Sequence, residues 1–497
     1  MLNIDWDKIA ELLKYHQNYP LIFSSGLFLF LFACFSLFYS MMGRRVMLRI
    51  IYVVLFSLYF YYKSSGFYFL LLIGVSLSDY AIGHALYNSS GNNRRKLFVA
   101  LSLFLDLGLL VYFKYTNMFI ELLNDFTARQ IELQDIFLPI GISFFVFQSL
   151  SYIIDIYRKR IPPLNHWLDY LFYISFFPQL VAGPIVRARD FIPQIRQNPL
   201  IVTREMFGEG IFLIICGLFK KAVISDYISV NFVDRIFDNP LLYSGLENLM
   251  GVYGYALQIY CDFSGYSDMA IGIALLLGFR FNKNFDSPYK SATITEFWRR
   301  WHISLSSWLK DYLYISLGGN RKGKIRTYVN LLITMLLGGL WHGASLRFVL
   351  WGGIHGVALG IHKMAMAVFP GFKAQGIDMN NRFRRILGIL ITFHLVCFSW
   401  IFFRSESMES AWAMLGQIFT SFKGAIFFDF IVGYKWIVLL MLIGYTLHFM
   451  PQKAEDRFRD YIARQPMLLN AILITALIWL IMQIKSGEIQ PFIYFQF

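Results

Sequence analysis

Long apolar runs, set off from one another by short basic clusters, constrain this chain more than any other feature. Leu21 to Met42, Val46 to Tyr62, Phe67 to Leu86, Leu97 to Phe113 and Ile136 to Tyr157 each reach the length, about 17 to 25 residues, that a helix needs to cross a hydrocarbon layer. The charge between them alternates. Arg44 and Arg45 follow the first run, Arg94, Arg95 and Lys96 precede the fourth, and Arg158, Lys159 and Arg160 follow the fifth. The loop before the fifth run carries Glu121, Asp125, Glu132 and Asp135 against a lone Arg129. Since loops on the cytoplasmic side accumulate Lys and Arg, this pattern predicts a chain threading a membrane from an outside N-terminus. Composition agrees: 57% of the 497 residues are hydrophobic and 15% charged, whereas soluble domains carry about a quarter charged residues. The runs lack the strict alternation of a β-barrel. The net charge of +14 is dispersed between the runs and forms no stripe. It therefore predicts no nucleic-acid partner, but a positive field on one membrane face, with membrane lipid as a partner.

Residues 1–20 are polar and amphipathic and end at Pro20, which predicts a surface-lying segment in front of one membrane domain over 21–497. The alternation of charge fails at Trp167 to Ile185, which has basic residues at both ends. Gln179, Gly183 and Pro184 within PQLVAGP predict a re-entrant segment lining a cavity. Further runs follow from Gly210 to Ile228, from Leu249 to Phe279 around the polar insert CDFSGYSDM, and between Leu346 and Ile484. Phe297 to Leu313 places apolar residues at helical spacing opposite Arg299, Arg300 and Lys310, as an interfacial helix does. The expected fold class is an all-α integral membrane protein of about eleven transmembrane helices plus re-entrant and interfacial pieces.

The chemistry concentrates in 296–343, where two histidines mark two depths. His342 closes the uncharged run Val329 to Trp341, so it lies roughly 20 Å from Tyr328 if the run is helical. A histidine at such depth marks a functional site, as a neutral base, unless it packs against a neighbouring helix like Trp341 beside it. Gly338, Gly339 and Gly343 let a substrate or another backbone approach it. His302 sits among Trp298, Arg299, Arg300 and Trp301, at an expected headgroup boundary. Asp262, Ser264, Tyr266 and Asp268 of the polar insert form either a pocket or a tight polar turn, and Gln179 and Trp341 complete the candidate substrate-binding set. No GxSxG motif offers a nucleophile, which favours direct transfer of an acyl group under general-base catalysis. His355 and His362, seven apart with no carboxylate, read as packing residues, and His394 as a weaker candidate of the His342 kind. Cys34, Cys216, Cys261 and Cys397 are scattered through apolar surroundings, with neither metal-ligand spacing nor a disulfide framework.

Three stretches carry a family likeness: DFSGYSDMAIG (Asp262 to Gly272), FWRRWHISLSSWLKDYLYISLGGNR (Phe297 to Arg321) and LGGLWHGAS (Leu337 to Ser345). With FPQLVAGPIVR and FSWIFFRS, they resemble the membrane-bound O-acyltransferase family, in the branch that holds both alginate O-acetyltransferases and the D-alanyl transfer proteins of lipoteichoic acid, nearer the alginate type. The resemblance implies helices ringed around a thin central funnel, with acyl donor entering from the cytoplasm and acceptor from outside. It implies that His342 of the WHG element is catalytic and that His302 of the RRWH element supports it. Ser316 stands where that branch's motif has proline, a departure that bears on local helix-end geometry. The implied donor is acetyl-CoA, a substrate and not a tightly bound cofactor. The implied acceptor is an extracytoplasmic polysaccharide, reached through a secreted or membrane-anchored partner protein, at a bacterial cytoplasmic (inner) membrane. Two rival readings are D-alanyl transfer from a carrier protein to teichoic acid, and a transporter or flippase with a proton-relaying histidine.

Overall fold

Helices make up most of the described residues, because the apolar runs must satisfy their backbone groups internally. The computed structural model describes residues 5–17, 19–127, 129–368, 372–373, 376–377, 382–484 and 492–493. Among them the strands are two residues each, Phe372–Lys373 and Gly376–Ile377, paired antiparallel. The chain divides into two compact units. One comprises Met1–Met206 with Ile273–Phe281, the other Phe207–Gly272 with Asn282–Phe495.

In the first unit, helix Trp6–Leu13 is capped by Asp5, which accepts the Lys8 N–H at 3.1 Å. Its Trp6 and Leu12 are exposed, as a surface-lying segment requires. The helices Phe69–Asn88, Asn92–Leu110, Ile142–Tyr157 and Trp167–Ser175 follow. They are joined by polar side chains: Ser102 Oγ lies 3.2 Å from Asp79 and 3.4 Å from Asp106, and Tyr170 donates to Asp79 at 3.2 Å. Ser149 donates to the same Asp79 carboxylate. Such bonds hold helices together where apolar contact alone gives little preference over lipid. The outward faces stay apolar, with Leu97 65% and Phe104 74% exposed, a surface that suits a lipid environment and would be a liability in water.

The segment Trp167 to Ile185 is helical only to Ser175. Phe176 then breaks the helix, Phe177–Leu180 forms a short turn, and irregular backbone continues to Arg187. Tyr170 to Val186 is nonetheless buried. Gln179 is enclosed there, its amide donating to the Tyr173 carbonyl.

In the second unit the polar insert is no turn. Helix Gly245–Leu276 runs through it without a break, because its polar groups find partners on a neighbouring element instead of breaking the backbone. Gly265 packs against the Gly217 carbonyl and Gly272 against the Gly210 carbonyl, so a methyl group at either position would overlap the facing helix Arg204–Leu218. Small residues seven apart on both helices make a close seam. The expected interfacial helix is also divided. Helix Ile294–Arg300 stops before Trp301, Ile303–Trp308 restarts, and a wide π-type turn spans Leu309–Tyr314.

By length and composition, Val46–Asn88, Asn92–Thr127 and Arg382–Arg404 can each cross a membrane. The pairs Met408–Thr420 with Gly424–Gly433 and Lys435–Phe449 with Gln452–Arg464, bent by 90° and 97°, qualify only together, each as a broken span or a re-entrant loop. Gly26–Met41 and Ile142–Tyr157 are apolar but shorter. The expectation of about eleven crossings thus exceeds the three to five that these criteria support among the described residues. Short helices and helix breaks inside the apolar runs both keep segments below these criteria.

Candidate active site

Helix Lys324–His342 ends on the histidine that the sequence placed deepest, so the run from Val329 is helical to its last residue. His342 is 3% exposed. Its ring lies against Trp351 at 5.0 Å and Phe403 at 5.3 Å, both edge-on, with Trp341 at 4.9 Å. The neighbouring glycines serve the protein's own packing. A side chain at Gly339 would strike the Phe348 carbonyl, and one at Gly343 the Phe348 ring, so helix Leu346–Val368 occupies the approach that they leave open.

His302 is fully buried in the protein. Of the two arginines that suggested a surface, Arg300 is drawn into ion pairs with Asp286 and Glu296 at 3.0 Å each, while Arg299 stays exposed. Burial alone would raise the Asp286 carboxyl, but Lys283 and Arg300 hold it below its ordinary value. His302 links the two helices with φ +41° and ψ +57°, a left-handed conformation uncommon outside glycine. Its ring packs on Phe263 at 4.5 Å, parallel to Phe285 at 6.1 Å, and 6.1 Å from Trp341. Phe263 belongs to the DFSGYSD segment and Trp341 to the LWHG element. The three motifs singled out in the sequence therefore converge, with Trp341 between the two histidine elements.

A second aromatic path joins those elements. Trp351 contacts His342, and at 4.8 Å His355; His355 in turn lies 5.1 Å from Trp298. Trp298 donates to His355 Nδ1 at 3.3 Å, so the ring carries its proton on Nε2 and gives it to Ser399 Oγ at 2.9 Å. His355 is a packing residue with a full set of bonds. His362 faces Thr295 at 2.7 Å, and His394 faces Tyr253 at 2.9 Å on an exposed part of the chain. Among the described residues no three His, Cys, Asp or Glu side chains gather as a metal site.

The carboxylates of the insert are engaged. Asp262 meets Lys221 at 2.6 Å and accepts the Ile493 N–H at 2.8 Å, while Asp268 meets Lys220 at 2.7 Å. Tyr266 packs on Phe492 at 4.9 Å, and Ser264 is buried on the same helix. These residues border His302 through Phe263, and their ion pairs tie helix Gly245–Leu276 to the turn that carries both lysines. Gln179 belongs to the first unit, where its amide donates to the Tyr173 carbonyl. Sequence reasoning missed Asn284, Trp351 and Phe403. A lone Asn in a polar loop, or an aromatic among many, carries no pattern of its own.

Residues 157–405 match the model of MBOAT, the membrane-bound O-acyltransferase family. Over 408 residues the chain is 41% identical to the probable alginate O-acetylase AlgI of Pseudomonas aeruginosa, covering 80% of this chain and 75% of that one. The chain belongs to the membrane-bound O-acyltransferase family. This acyltransferase is also 36% identical over 436 residues to a peptidoglycan O-acetyltransferase of Helicobacter pylori, covering 82% and 81% of the two chains. A teichoic acid D-alanyltransferase of Bacillus subtilis is 30% identical over 285 residues, 54% of this chain and 69% of that one. Together with its apolar helices, family membership makes the acyltransferase a multi-pass membrane protein.

Proposed function

We propose that this acyltransferase moves an acetyl group from cytoplasmic acetyl-CoA to a hydroxyl of an extracytoplasmic polysaccharide, with His342 as general base and His302 in support. The observation that carries the reading is the convergence of DFSGYSD, RRWH and LWHG on two buried histidines that Trp341 separates. A buried imidazole within reach of an attacking hydroxyl can take its proton. The hydroxyl oxygen bonds to the thioester carbonyl carbon, the carbon–sulfur bond breaks, and the departing thiolate recovers the proton as free coenzyme A. Donor and acceptor identities follow the relatives named as acetylases, which are more similar and match along more of the chain than the D-alanyltransferase does. The same reading places the protein in a bacterial inner membrane with its N-terminus outside, working with a secreted or membrane-anchored partner that completes the transfer.

Purified protein supplied with acetyl-CoA and with alginate or peptidoglycan oligomers tests this. His342→Ala is expected to lower acceptor-dependent release of coenzyme A by a factor on the order of 10² to 10⁴. Unchanged release would overturn the assignment of His342. Acceptor labelling from a D-alanyl carrier and none from acetyl-CoA would overturn the donor.

A further inference from the structure

His302 stands at the position that normally caps a helix. It precedes Ile303–Trp308 directly, yet its side chain does not cap that helix. The first N–H groups of a helix have no partner within it and need one from outside. Here a residue eighteen positions earlier supplies it. The Asn284 carbonyl accepts the Ile303 N–H at 2.8 Å, and its Oδ1 accepts the Ser304 N–H at 3.1 Å. The same side chain donates from Nδ2 to Ser267 Oγ at 3.1 Å, which anchors it to helix Gly245–Leu276. Asn284 is 1% exposed, so water does not compete for these bonds. On the other side of His302 the chain is held again: the Asp286 N–H donates to the Arg300 carbonyl at 2.9 Å, and Arg300 returns a bond to the Asp286 carbonyl at 3.1 Å. Between the two rungs, Phe285 lies parallel to the imidazole.

We propose that Asn284 is the positioning residue for His302: by capping helix Ile303–Trp308 from another segment, it fixes the left-handed backbone and directs the imidazole toward Trp341. An ordinary N-cap puts its own side chain on the helix N–H groups. The three bonds of Asn284 also explain how an unfavourable φ is maintained at a non-glycine residue. This inference depends on the reading that His302 supports acyl transfer, and the test separates the two.

The test is a double-variant cycle on purified full-length protein, reading kcat and KM for acetyl-CoA alongside the thermal midpoint. His302→Asn removes the imidazole but tolerates the left-handed conformation. Asn284→Ala is expected to lower kcat by on the order of tenfold with KM changed less than about twofold. Asn284→Asp, which keeps the acceptor oxygen for Ser304, recovers most of that loss. In the His302→Asn background, Asn284→Ala adds nothing further. Losses that multiply in the double variant, or an unchanged kcat in Asn284→Ala, would overturn the positioning role. Full activity of His302→Asn would instead overturn the supporting role of His302. Should Asn284→Ala fail to yield folded protein, Asn284→Ser, whose hydroxyl stops short of Ser304, carries the same cycle.

Discussion

Among the residues that surround the two candidate histidines, His355 shows how a buried imidazole is satisfied when it has a structural task. It accepts from Trp298, donates to Ser399, and Ser399 passes its own proton to the Val396 carbonyl at 2.7 Å. Removing the ring strands the indole N–H, while Ser399 keeps its bond to the Val396 carbonyl, and an unmet buried polar group costs about 1 to 3 kcal/mol. His355→Leu should therefore lower stability by an amount in that range, and His355→Gln by less, as unfolding of the purified protein would show. Equal losses for the two substitutions would refute this hydrogen-bond account. His355 and His362 were legible as packing residues, since seven-residue spacing puts them on one helix face with no carboxylate between. Asn284 was not, because its importance lies in a return of the chain across eighteen residues that no local spacing reveals.

Secondary-structure elements in the middle of the chain show where patterns mislead. Apolar periodicity found the helix Lys324–His342 and its terminal histidine. It split Gly245–Leu276 at a polar insert that proved helical, because Lys220 and Lys221 neutralise Asp268 and Asp262 from a neighbouring turn. A charge partner distant in sequence can convert an apparent loop into helix. It also joined Phe297 to Leu313 into one helix, where the structure breaks at His302. The glycine seam gives this level its prediction. Gly265→Leu would push helix Gly245–Leu276 off the Gly217 carbonyl, and overpacking of this kind costs about 1 to 3 kcal/mol or more. The ion pairs of Asp262 and Asp268 flank the seam and should loosen with it. Gly416→Ala, with open space around it, should leave the thermal midpoint almost unchanged or raise it slightly. Similar midpoints for both variants would contradict a close seam.

The molecule as a whole combines an apolar exterior with a set of buried polar residues shared by three motifs. Membrane class was legible from composition and run length, because the hydrophobic effect acts on sums over many residues and needs no tertiary detail. The number of crossings was not, since run length in the sequence does not show where a helix breaks or bends. The burial of His302 escaped the sequence for a related reason: Trp298, Arg300 and Trp301 suit a headgroup boundary, but internal ion pairs and aromatic contacts satisfy the same residues inside a protein. The central claim is that His342 accepts the proton when an acyl donor on one side of the membrane meets a hydroxyl on the other. Proteoliposomes with labelled acetyl-CoA on the side of the basic loops and polysaccharide acceptor on the opposite side test it most directly. The account predicts labelled ester on the acceptor with wild-type protein, coenzyme A retained on the donor side, and no ester with His342→Ala. Ester formation only when donor and acceptor share one side, or ester formation undiminished by His342→Ala, would contradict it.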